Sequence, residues 1–475
     1  MTLTKKIAYN TIIQVIGRVL SIFFGVVTVG IITRYLGVGG YGMYTKVFTF
    51  FQIFGVILDF GLYNVTLKYI SHENDENTEL IVNKILTLRL LLNLIFLIVP
   101  FFSLLLNYEP IVKQSIFILS LSYLISSIPQ ILSVVLQKKL NTTPIILGEC
   151  ISRLIYLILV FVIYKSGLGL IEIMIANIII TIVNVLIVYF GAKKYIKIYL
   201  IVDWPFFKEV LKNCWPFALS IIFNLVYFRA DTFLLTILKS NEDVGIFSAA
   251  YKVLEIYITI PSLFVNLILP ILDSDYKNND LDRFNRIVQK TFDFFLIIII
   301  PIIVGGFLLS DNIMILLAGN GFADSGPVLA VLCIVMGIIT MSALYTNTVI
   351  AVNEQKKMTL IYFIAAILAL ILYGIFIPKF SYHAIPYLKI IIEGFVLISA
   401  FILTKKHTKQ SPSLKNLPKV IFSSLAMGIF IYFFKNFFHQ SILLILPMAI
   451  VVYFLTLYLI GGIDQNIIRD IIKKE

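Results

Sequence analysis

The chain has 475 residues, of which 60% are hydrophobic and only 13% charged, with a mean hydropathy of +0.98 and a formal net charge of +12. A soluble domain carries about 25% charged residues, so this composition excludes one and describes an integral membrane protein. Cys150, Cys214 and Cys333 lie in or beside apolar stretches and offer no disulfide framework. His72, His383, His407 and His439 lack ligand spacing, so no metal site and no cofactor are expected.

Apolar stretches of about 20 residues predict membrane helices. In chain order they fall near 8–33, 41–67, 85–106, 114–136, 144–164, 170–190, 213–237, 244–270, 291–309, 327–351, 359–378, 384–403, 417–436 and 441–461. The first is read as a retained span rather than a cleaved signal, because it is too long for a signal core and lacks a small-residue cleavage site. The expected fold is all-α, with about fourteen membrane helices. No phosphate-binding loop, nucleophile elbow or zinc-helix motif interrupts them, so the chain is not expected to be an enzyme.

Orientation follows from the bases. If the termini and the loops after even-numbered spans share one side, that side collects about 25 of the 38 Lys and Arg residues. The opposite loops hold only Arg34, Lys113, Lys165, Lys239, Lys379 and Lys435. By the positive-inside rule both termini are cytoplasmic. The bases are spread over many short loops, which accounts for the net charge without a nucleic-acid partner.

The long basic loop 191–212 carries Lys193, Lys194, Lys197, Lys208 and Lys212 around Trp204-Pro205-Phe206-Phe207, and suits an interfacial helix. It divides the chain into a six-helix lobe (1–190), the linker (191–212), a second six-helix lobe (213–403), and two further helices with a cytoplasmic tail (404–475). The lobes echo each other. Tyr41-Gly42-Met43-Tyr44-Thr45 is matched by Val244-Gly245-Ile246-Phe247-Ser248, and each is followed by an in-membrane lysine, Lys46 and Lys252. Six spans per lobe make this a parallel repeat.

Charges within the spans are the candidate site. Arg18 lies about 15 Å into a hydrocarbon layer about 30 Å thick. Arg near a bilayer centre costs about 2.5–3.5 kcal/mol, so it is expected to face a wet or paired interior. Glu149/Arg153, Lys252/Glu255 and Lys389/Glu393 stand three or four residues apart and can pair on one helix face, as structure or as function. Arg229 and Asp231 diverge around their helix. The first three spans and their joining loop hold Arg18, Arg34, Lys46 and Arg89 against one mid-span acid, Asp59. That surplus favours an anionic ligand, although Arg34, Lys46 and Arg89 could instead snorkel to headgroups. Pro216, Pro261, Pro301 and Pro447, with Gly55 and Gly61, are candidate hinges or inert kinks.

Thr33-Arg34-Tyr35-Leu36-Gly37, Tyr41-Gly42 and Asp59-Phe60-Gly61-Leu62 resemble the opening signature of the Wzx-like polysaccharide flippases, a branch of the multidrug/oligosaccharidyl-lipid/polysaccharide exporter superfamily. Gly321-Phe322-Ala323-Asp324-Ser325-Gly326-Pro327-Val328-Leu329 looks like the turn these proteins place before their tenth span. The resemblance implies a flippase of the bacterial cytoplasmic membrane. It would move undecaprenyl-diphosphate-linked oligosaccharide to the outer leaflet by alternating access, for O-antigen, capsule or exopolysaccharide. A coupling ion, H+ or Na+, or the membrane potential would drive it, with polymerase and chain-length machinery as partners. Arg18, Arg229 and Lys252 would meet the diphosphate, while Arg34, Lys46, Asp59 and Arg89 would line or latch the first lobe. Arg153 joins them as a binding candidate if its pair with Glu149 is functional. A drug/cation antiporter or a peptidoglycan-precursor flippase would share the fold. A membrane polymerase or glycosyltransferase would need a larger outer loop than any seen here.

Overall fold

The computed structural model describes residues 3–71, 73–409, 411–437 and 442–462. His72, His439 and the C-terminal tail from residue 463 lie outside the described residues. Among the described residues the regular structure is all helix, with no strand: α1 (Leu3–Asp59), α2 (Leu62–Ile70), α3 (Asp75–Phe96), α4 (Val99–Phe102), α5 (Pro110–Lys138), α6 (Thr143–Ser166), α7 (Leu170–Ala192), α8 (Trp204–Leu238), α9 (Asn241–Lys277), α10 (Leu281–Ala318), α11 (Ser325–Ala351), α12 (Gln355–Phe380), α13 (Ala384–Thr408), α14 (Leu417–Phe437) and α15 (Ile442–Leu459).

Among the described residues twelve segments are long and apolar enough to cross a membrane. Two of them, Ile16–Gly55 and Gln355–Thr408, run 40 and 54 residues, at least twice the length one crossing needs. Each is broken near its middle, at Gly37 (φ 67, ψ −175) and at the short 3-10 turn Ser381–His383. Each therefore supplies two crossings, and the described chain makes the expected fourteen.

Local chemistry sets several ends. Asp203 caps α8 by accepting from the Phe206 N–H at 3.1 Å, and Asp280 caps α10 by accepting from the Arg283 N–H at 3.0 Å. Such caps are worth about 1 kcal/mol each. The predicted 41–67 span is interrupted, because Phe60 (φ 42) and Gly61 (φ 78) adopt left-handed backbone. That conformation stops one helix and starts another, a role to which Gly61 is suited.

The chain forms two compact units, Met1–Gly245 and Ile246–Glu475. In the first, α1 packs on α5, α6 and α8, and α5 and α6 pack on α7. In the second, α11 packs between α10 and α13, and α14 and α15 pack on α10. Lipid tails are as apolar as side chains, so such packing relies on close approach of small residues. Gly17 faces Ile146 and Cys150, Gly191 faces Pro144, and Gly306 faces Cys333.

Segment 193–203 is not helical. After a turn at 193–196 it runs as an extended strap along α3. The Lys197 N–H donates to Glu79 Oε2 (2.8 Å), the Tyr199 N–H to Asn83 Oδ1 (3.0 Å), and the Ile201 N–H to Thr87 Oγ1 (2.9 Å). Acceptors four residues apart on a helix advance about 6 Å, and donors two apart on an extended chain advance about 6.6 Å. The near match of repeats lets one helix face satisfy alternate backbone donors. The helical part of the 191–212 linker starts only at Trp204 and is continuous with α8.

Candidate functional site

The two echoed turns meet each other reciprocally. Gly42 lies directly against the Asn241 backbone, and Gly245 directly against the Val38 backbone. Asn241 precedes Gly245 by four residues, and Val38 precedes Gly42 by four. The contact thus repeats itself with the partners exchanged, as an approximate two-fold relation requires. Neither glycine has room for a Cβ without moving backbone.

Below this contact on α1 is Lys46, only 4% exposed. Its ammonium sits over the Tyr108 ring, 5.4 Å from the centroid. Among the described residues it has no carboxylate within ion-pair distance, although Glu109 is close enough to act on it electrostatically. Tyr108 shares a 3.0 Å hydrogen bond with Thr236, and Asn241 donates to Glu109 Oε1 at 2.7 Å. Burial pushes the Tyr108 phenol up to about 12, against a smaller opposite effect of the Thr236 hydrogen bond. Tyr108 therefore remains neutral at physiological pH and offers Lys46 a π face rather than a counter-charge.

Arg18 is exposed and has no partner among the described residues. At 100° per residue it points about 100–160° away from the exposed apolar residues Ile16, Val19, Leu20 and Phe23. It shares its face with Gly25, seven residues on, and Gly25 lies under the Arg153 guanidinium. Arg153 pairs with Glu149 at 3.2 Å, as their spacing predicts. Arg18 and Arg153 thus line one seam between α1 and α6, two turns apart.

The other predicted residues are placed differently. Arg89 is 1% exposed and donates from Nη2 to Gln130 Oε1 at 2.6 Å, joining α3 to α5. Arg34 is exposed at the Gly37 bend and reaches the Gly30 carbonyl at 3.4 Å. Arg229 on α8 is near Tyr123. Buried Asp231 accepts from the Thr232 N–H at 2.6 Å. Asp59 ends α1, and its side chain lies outside those described. In the second unit, Lys252 is 42% exposed and pairs with Glu255 at 2.8 Å. No group of three or more His, Cys, Asp or Glu suited to a metal occurs among the described residues.

A family described as "polysaccharide biosynthesis protein" matches residues 3–272, more than half of the chain. The chain belongs to this family. No protein of curated function matches the sequence. Among solved structures, a lipid II flippase, MurJ, in an inward closed conformation is similar with a TM-score of 0.73 at 18% identity, over 98% of this chain and 100% of that one. An inward-facing multidrug resistance MATE family transporter of the MOP superfamily gives 0.66 at 14%, over 82% and 94%. A MOP superfamily transporter from Pyrococcus furiosus, described as having a binding pocket of reverse polarity, gives 0.58 at 15%, over 86% and 97%. These likenesses establish the MOP superfamily fold.

In this polysaccharide biosynthesis protein the first unit also holds uncharged polar groups that sequence reasoning missed. Ser122 donates to Asn177 Oδ1 at 2.9 Å and meets Thr181 at 2.6 Å. Tyr156 lies beside the same Asn177 and beside Tyr44. Phe51 stacks on Tyr123, centroids 4.6 Å apart. Scattered Ser, Asn and Tyr residues in apolar spans give no periodic signal, whereas charges do. The second unit contributes an apolar cavity of about 380 Å³ between α9, α10, α11, α14 and α15, lined by Tyr257, Pro301, Cys333, Met427, Ile450 and Phe454 among others.

Proposed function

We propose that this protein is a flippase for undecaprenyl-diphosphate-linked oligosaccharide, working by alternating access in the bacterial cytoplasmic membrane with both termini in the cytoplasm. The observation that carries the reading is the cationic surplus of the first unit, where Arg18 and Lys46 lack a carboxylate partner among the described residues. A diphosphate is the ligand such a surplus suits, and Arg supplies a planar fork for its oxygens. Arg18, Arg229 and Lys252 are assigned to the diphosphate, with Arg153 beside Arg18 on the same seam. Arg34, Lys46, Asp59 and Arg89 support the first lobe. The apolar cavity of the second unit has the chemistry to take a polyprenyl or acyl chain. An H+ or Na+ gradient or the membrane potential supplies the drive, and the polymerase that consumes the flipped unit is the expected partner.

The test is leaflet exchange of a fluorescent lipid-linked oligosaccharide in proteoliposomes. Exchange by the purified chain, lost in Arg18→Ala or Arg229→Ala with the protein still membrane-inserted, supports the reading. No exchange under any imposed gradient overturns it. The likeness to a lipid II flippase over 98% of this chain favours a second reading, a peptidoglycan-precursor flippase. Exchange of lipid II in preference to the oligosaccharide substrate would select it. A cation antiporter is disfavoured by the same surplus of base.

A further inference from the structure

The strap between α7 and α8 has a second face. Its backbone donors point to α3, while Leu200, Val202 and Trp204 are left exposed, Trp204 at 63%. Lys193, Lys194 and Lys197 on the strap and Lys208 and Lys212 on α8 are exposed, and none has a carboxylate partner among the described residues. The two acids of this stretch are already engaged. Asp203 binds Lys84 at 2.6 Å, and Glu209 accepts from the Tyr69 hydroxyl at 2.8 Å. Five lysines against the remaining carboxylate charge of Glu209 leave a local positive surplus for an external anion.

Two more features indicate what kind of anion. α7 ends at Ala192 as a membrane span, which puts the strap at headgroup level. Leu200 is also one wall of an open, almost wholly apolar crevice of about 420 Å³, formed with Leu90 and Leu94 of α3, Leu97 just beyond its end, and Leu124 and Ile128 of α5. A soluble anion would use the lysines but leave the crevice and the exposed Trp204 unexplained. We propose that the strap and the first turns of α8 bind an anionic phospholipid of the adjacent leaflet, its headgroup on the lysines and one acyl chain in the crevice. Bases at a membrane surface and an amphipathic Trp are the two chemistries such a lipid uses.

The chain has two tryptophans, Trp204 and Trp215, so Trp215→Phe leaves Trp204 as sole reporter. The protein is reconstituted in phosphatidylcholine vesicles containing brominated-chain phosphatidylglycerol or brominated-chain phosphatidylcholine. The anionic lipid is expected to quench Trp204 at a mole fraction roughly tenfold lower than the zwitterionic one, given a few lysines at the surface. Lys193→Ala/Lys194→Ala/Lys197→Ala should erase that preference. Raising salt to about 0.5 M should shrink it in the unmodified strap, which keeps the test valid if the triple variant does not fold. Equal quenching by both lipids, or a preference that survives the lysine changes, overturns the proposal. So does its loss on adding inorganic diphosphate, which would mark the site as one for a soluble anion. The readout is lipid contact, independent of whether the chain flips any substrate.

Discussion

Two buried lysines, one in each unit, sit over tyrosine rings at almost the same distance. Lys46 is 5.4 Å from the Tyr108 centroid and Lys389 is 5.2 Å from that of Tyr251. Their electrostatic surroundings differ. Glu393, itself buried, stands one turn beyond Lys389 on α13, a spacing at which the two charges can balance within a single helix. Lys46 has the aromatic face and, further off, Glu109. Buried lysines over tyrosine rings thus have different electrostatic surroundings in the two units. The first unit holds a buried cation with no carboxylate at ion-pair distance among the described residues, whereas the second sets a buried carboxylate one turn from its lysine.

The comparison can be broken by opposite signs in thermal unfolding. Lys389→Met should destabilise most, by about 3–5 kcal/mol, because it leaves the Glu393 carboxyl buried without its cation. A stability change below about 1 kcal/mol would show that the pair is not balanced as described. Gly42→Val forces the Asn241 backbone away, an overpacking cost of about 1–3 kcal/mol, and should slow lipid exchange about 10–100-fold. Gly394→Val, where a Cβ meets open space, is its control and should leave exchange near normal.

Lys46→Met should instead stabilise, by about 1–3 kcal/mol, since it removes a buried cation that lacks an ion-pair partner while keeping the apolar stem. Its lipid exchange should fall even so, and a more stable variant with unchanged exchange would remove Lys46 from the transport path. Glu255→Gln sharpens the contrast from the exposed side. Its pair with Lys252 is half-exposed and should be worth at most about 1 kcal/mol, measured in the same unfolding assay.

The smallest effect is in acid. The Lys84 hydrogen bond, helped by the Phe206 N–H, holds the Asp203 carboxyl below its ordinary value of 3.8. A lowered folded-state pKa contributes stability above the ordinary value, and that contribution is lost as pH falls through the folded-state value. Limited proteolysis of the strap should therefore increase as pH drops below about 4, and Asp203→Asn should flatten that dependence.

The pairing of candidate-site charges was legible where the partners are close in sequence. Glu149/Arg153 and Lys252/Glu255 pair in space as three- and four-residue spacing requires. Arg89 was less legible, because its partner Gln130 is 41 residues away and an amide gives no charge signal. The 191–212 linker shows the same limit. Its basic and aromatic composition pointed to the membrane surface, but the extended path depends on Glu79, Asn83 and Thr87, which lie on another helix.

By itself the sequence determined that this is an all-α membrane chain of fourteen crossings, because length, apolarity and helical spacing are local quantities that lipid enforces. It also located the charges that lipid would not tolerate. Only the tertiary structure decided which of those charges stay unpaired, that Gly42 and Gly245 close on each other's turns, and that the α1 face Arg18 shares with Gly25 meets Arg153 of α6. Those outcomes depend on contacts between residues 100 or more positions apart, and no periodicity along one helix records what lies opposite it.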